Sequence, residues 1–92
     1  MTNATLFKTI TSTIGDITGL EAEGIELDQL LQDDLQLDII TDLPHIIVEI
    51  SKVLETEIGT DHIARFTRRL QQDPEEATVS ELLAFIEDET EF

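Results

Sequence analysis

Apolar residues recur at steps of three and four in four separate stretches of the chain, which is the signature of amphipathic helices. Phe7, Ile10, Ile14 and Ile17 line one face of a first helix. Asn3 or Thr2 offers a cap at its start, Gly15 weakens it, and Gly19 with Leu20 ends it. The second helix has the longest stripe: Leu43, Ile46, Ile47, Ile50, Val53 and Leu54. Thr41 and Asp42 offer its capping oxygen, Pro44 suits its first turn, and Gly59 ends it after Ile58. A third helix runs from an N-cap at Asp61 to Gln71, with Ile63, Phe66, Thr67 and Leu70 inward, until Asp73-Pro74 forces a turn. The fourth opens with Thr78-Val79-Ser80-Glu81, a capping box, and buries Val79, Leu82, Leu83 and Ile86. Its acidic end, Glu87 to Phe92, is expected to fray.

Residues Glu21 to Leu37 follow no such period. They carry Ile25, Leu27, Leu30, Leu31, Leu35 and Leu37, so this long connection must lie on the domain and bury side chains. Structureless loops beyond about 12–15 residues are uncommon, which places a turn of helix near Leu27–Leu31, with Asp33 and Asp34 punctuating it.

The expectation is a single all-α domain over residues 1–92: four helices and one long loop between the first and second. Twelve Ile and twelve Leu against four Phe and no Trp or Tyr make its core aliphatic. No Cys is present, so no disulfide or thiolate metal site forms. Met1 to Leu6 lacks the basic segment and apolar run of a signal peptide, and no apolar run approaches the ~20 residues of a membrane span. A cytoplasmic location is the expectation.

Charge narrows the function classes. The chain has 21 Asp plus Glu against 5 Lys plus Arg, a formal charge of −16. Such a surface repels phosphate backbones and anionic lipid and favours association with basic partners. Nucleic-acid and membrane binding are therefore not expected.

The order of parts, with Asp34-Leu35-Gln36-Leu37-Asp38-Ile39-Ile40 ahead of the acidic second helix and a last helix opening Thr-Val-x-Glu-Leu, resembles an acyl carrier protein. The resemblance covers nearly the whole chain. In that family the stretch reads Asp-Leu-x-x-Asp-Ser-Leu, and the serine carries 4′-phosphopantetheine. Asp34, Leu35 and Asp38 match, and Ile40 replaces the family's Leu. Ile39 stands at the serine, and isoleucine has no hydroxyl to form a phosphoester. The nearest hydroxyl, Thr41, lies two residues on, out of register, and is a poor substitute. Ser51 and Ser80 lie within helices, and no serine falls between Ser12 and Ser51.

The resemblance implies the acyl-carrier four-helix bundle and docking through the second helix and the loop before it. Asp34, Asp38, Asp42, Glu49, Glu55 and Glu57 are the candidate docking acids, for a protein partner with a basic patch. The leading expectation is a carrier-like domain without its arm, acting as an adaptor or regulator of a biosynthetic enzyme and needing no cofactor. One alternative is a working acyl or peptidyl carrier in fatty acid, polyketide or peptide biosynthesis, modified at an unusual residue, which would carry phosphopantetheine. Another is an acidic inhibitor of a basic enzyme.

Other constellations are weaker. Asp33, Asp34 and Asp38 lack the alternating spacing of a calcium loop, so no metal is expected. His45 and His62 read as surface residues, and there is no Gly-rich phosphate loop or nucleophile arrangement, so no enzyme is expected. Arg65, Arg68 and Arg69 fall within five residues. They either pair with nearby acids or form a second docking patch, for example for another copy of the chain.

Overall fold

A computed structural model describes residues 3–90. Four helices, α1 (Asn3–Thr18), α2 (Asp42–Val53), α3 (Thr60–Gln72) and α4 (Val79–Thr90), pack around one core, and no strand occurs among the described residues. Two three-residue 3-10 turns, Ala22–Gly24 and Pro74–Glu76, sit in the connections. Among the described residues, no helix is long and apolar enough to cross a membrane. The expected cap Thr2 lies outside the described residues. α4 is helical to Thr90, whose hydroxyl donates to the Ile86 carbonyl at 2.6 Å. The expected fraying therefore does not begin at Glu87.

The core is aliphatic. Leu6, Ile10, Ile14, Leu43, Ile46, Ile47, Ile50, Leu82 and Ile86 are fully buried, each contributing about 1.5–3 kcal/mol over exposure. The α1 stripe is rotated from its expected position. Leu6 replaces Phe7 at its centre, and Ile17 stays 38 % exposed. The buried Thr13 and Thr11 flank the stripe on either side, and their hydroxyls donate to the carbonyls of Thr9 and Lys8. Small polar side chains that bond their own helix enter a core at little cost. α3 and α4 bury the residues expected of them.

α2 ends earlier than its pattern suggests. Leu54 is its C-cap, and Glu55 takes a left-handed φ of 55°. Glu55 N–H donates to Lys52 O and Thr56 N–H to Ser51 O, a Schellman closure made without glycine. Val53 is consequently 62 % exposed rather than part of the stripe. Ile58 is buried on the next segment, and Gly59 precedes α3 instead of ending α2. α3 starts at Thr60, so Asp61 sits in its first turn and is not the cap.

The long connection buries Ile25, Leu31, Leu35 and Leu37. It contains no helix at Leu27–Leu31. Tight turns replace it, and the connection is bonded across to the start of α4. Leu31 N–H donates to Ala77 O, and Val79 and Ser80 N–H donate to Gln29 O and Leu27 O. Loop carbonyls thus satisfy two of the orphan N–H groups at the α4 N-terminus. Thr78 Oγ1 accepts a further one, from Glu81, at 3.3 Å. The capping box is only half formed, because the Glu81 carboxylate turns to Arg69.

At the other end of the connection, Gly19 takes a φ of +81° and closes α1 by donating to Gly15 O. The chain then folds back so closely that a Cβ on Gly15 would lie 2.7 Å from the Leu20 carbonyl oxygen.

Candidate functional site

The junction of the long connection with α2 holds the motif residues. Asp38 Oδ1 accepts the N–H groups of Ile40 at 2.8 Å and Thr41 at 3.0 Å. In return, Asp42 Oδ2 accepts the Asp38 N–H at 2.9 Å. Asp38 O receives the N–H groups of Asp42 and Leu43. The capping oxygen therefore comes from Asp38. Thr41, expected to supply it, makes no side-chain cap bond, and Asp42 points back to brace the turn. The reciprocal pair fixes the exposed backbone of residues 38–42 in one conformation.

These bonds act on the Asp38 carboxyl. Hydrogen bonds from the Thr41 and then the Ile40 backbone N–H hold it below the ordinary aspartate value of 3.8. A depressed native value means that the cap adds stability above the unfolded value, and that this is lost as pH falls through the native one. The difference in melting temperature between the wild type and Asp38→Ala is therefore expected to be full at pH 7. It should shrink below about pH 4, followed by circular dichroism. A difference independent of pH would show that the carboxylate charge is not what holds the turn.

Ile39 and Ile40 part company here. Ile39 is 2 % exposed and belongs to the core, whereas Ile40 is 46 % exposed. Around them, Gln36, Asp38, Ile40 and Gln71 line an open recess of about 510 Å³, with Gln36 in a left-handed turn of φ 58°. Ile40 also borders a second, more apolar cleft of about 390 Å³ between α2 and α3, formed with Pro44, Val48, Ile63, Ala64 and Arg68. The sequence pattern does not single out this cleft. Its signal is the spacing of four between Ile40, Pro44 and Val48, along one flank of the α2 core stripe.

The remaining candidates are dispersed. Asp34 staples the connection, its Oδ2 accepting Leu30 N–H at 2.7 Å. Glu49 pairs with Lys52 at 3.3 Å, an exposed contact worth little. Glu55 and Glu57 are exposed beyond the end of α2. Asp33, Asp34 and Asp38 do not converge, and no group of three potential metal ligands occurs among the described residues. His45 is exposed, and His62 Nδ1 lies 2.8 Å from Glu89 Oε1 between α3 and α4.

The three arginines do not act alike. Arg69 reaches Glu81 at 3.5 Å and lies over the Phe66 ring, which stacks on Phe85 with centroids 4.2 Å apart. Arg65 and Arg68 form no ion pair among the described residues. Pairing with nearby acids thus accounts for one arginine of the cluster.

Compared with protein-family models, with curated proteins and with solved structures, the chain matches none.

Proposed function

We propose that the chain is an acyl-carrier-like docking module without a phosphopantetheine arm, which engages a basic face on an enzyme of carrier-dependent biosynthesis. One observation carries this reading. At the junction where the carrier motif would present its serine, the chain buries Ile39 while keeping a braced, acidic surface turn around it. Attachment chemistry needs a hydroxyl that an enzyme can reach. Docking needs a rigid surface of the right charge, which costs little ordering entropy on binding. The residues at this place suit the second requirement and not the first.

Asp38 and Asp42 set the shape of the turn and add negative charge to it. Glu49 and Glu57 extend that charge along and past α2. In a chain of net charge −16 they draw in a basic partner at long range.

The test uses an enzyme that docks on carriers whatever their acyl group, a phosphopantetheinyl transferase with coenzyme A. Intact mass is expected to stay unchanged, without the roughly 340 Da of one arm. The chain is also expected to inhibit loading of an ordinary acyl carrier protein, competitively and more weakly as salt rises. Glu49→Lys with Glu57→Lys, which leaves the Asp38–Asp42 turn intact, should weaken the inhibition about tenfold. A mass gain of one arm, or no inhibition at low salt, would overturn the reading.

A further inference from the structure

The groove between α2 and α3 differs from the rest of the surface. Ile40, Pro44 and Val48 form one wall, Ile63 and Ala64 lie in the other, and Arg68 stands on the α3 rim. No carboxylate lines it, in a chain with 21 acidic residues. Ile40 and Gln71 border both this groove and the recess beside Asp38, so the groove opens at the braced turn. Val48 and Thr60 border both this groove and the hollow at the far end of α2, so the groove follows the first half of that helix and ends beside the hollow.

We infer that this groove receives an amphipathic helix of the partner protein. The helix is apolar on the side that enters, bears a Lys or Arg at the end that meets Asp38 and Asp42, and carries one carboxylate that reaches Arg68. The inference rests on the docking reading above and names the chemistry of the partner. Three observations select this occupant. Ile40 and Val48 remain 46 % and 37 % exposed, so the lining is an open trough and not the enclosed pocket that buries a small ligand. Its Ile40–Pro44–Val48 wall repeats every four residues, a ridge of the kind that fits the groove of a facing helix. Arg68 has no ion pair among the described residues and invites a carboxylate, while the net charge of −16 repels a helix that is acidic throughout. A single carboxylate on an otherwise apolar and basic helix meets both conditions.

The probe is a labelled helical peptide about four turns long, with Leu at every fourth position, Lys beside the first Leu and Glu one turn later. Fluorescence anisotropy with the full chain is expected to show saturable binding. Val48→Glu and Arg68→Glu, both on the surface and checked for folding by circular dichroism, should each weaken it at least about tenfold. Exchanging the peptide's Glu for Gln should abolish the effect of Arg68→Glu and leave that of Val48→Glu. The inference is overturned if the peptide does not saturate, if both variants bind like the wild type, or if decanoate occupies the groove and the peptide cannot displace it. Transferase inhibition by the wild-type chain separates the two readings. If inhibition persists without peptide binding, the groove assignment alone falls. If inhibition is absent as well, the docking reading falls with it.

Discussion

Ile39→Ser is expected to destabilise the protein by about 3–5 kcal/mol and to leave it unmodified by a phosphopantetheinyl transferase. Ile39 is 2 % exposed, among the aliphatic residues of the core. Shortening it leaves a cavity, and the new hydroxyl has no evident partner there. In a domain of this size such a loss lowers the melting temperature by roughly 12–40 °C, and it is a large share of a typical margin of about 5–15 kcal/mol. Ile40→Ser is the control. Ile40 is half exposed, so the same change is expected to cost below about 1 kcal/mol. Of the two variants it alone presents a hydroxyl to solvent. If either accepts an arm, it will be Ile40→Ser, and intact mass will show it. Equal stability of the two variants would mean that Ile39 is not a core residue.

Gly15→Ala is expected to destabilise by about 1–3 kcal/mol, against the sign that helix propensity gives. Within a helix, alanine is better than glycine by about 1 kcal/mol. Here, however, the added Cβ would sit 2.7 Å from the Leu20 carbonyl oxygen. That oxygen is backbone, and its position is constrained on both sides. Gly19 N–H is bonded to Gly15 O, Leu20 N–H to the Thr18 hydroxyl, and Ile25 is buried a few residues on. The chain can give way only by loosening the end of α1. Chemical denaturation of the two proteins decides the sign. A more stable Gly15→Ala would show that the reversal is slack enough for propensity to win.

The helices were legible because each buries an apolar stripe with a period near 3.6. Ile63, Phe66, Thr67 and Leu70 in α3, and Val79, Leu82, Leu83 and Ile86 in α4, lie where their spacing puts them. Boundaries were less legible, because caps depend on particular hydrogen bonds. Gly59 looked like the stop for α2, yet Glu55 closes it four residues earlier by paying the modest strain of a left-handed turn. Thr41 looked like the cap, yet Asp38, three residues before it, reaches the free N–H groups first. The connection misled for a related reason. Its leucines suggested a helix, but its backbone finds partners at the start of α4, more than forty residues away, and no local pattern encodes that pairing.

At the candidate site, the acidic residues and the pair of isoleucines between them could be read directly from Asp38, Ile39, Ile40 and Asp42. Which isoleucine faces water could not. The alternation Leu35, Leu37, Ile39 is a period of two, and it continues inward through the turn until the helix begins. The Ile40–Pro44–Val48 wall was hidden by the stronger stripe that it flanks on α2. Its meaning depends on where α3 lies.

The pairing of residues 27–31 with 77–80 has a kinetic side. It can form only when most of the chain has been brought together, and each such long-range contact must meet its closure entropy before it contributes. The connection and the first turn of α4 therefore complete one another late, and neither is whole without the other. A helical protein of this length ordinarily relies mainly on local contacts. This one ties the order of the connection that leads into α2 to the last third of the chain.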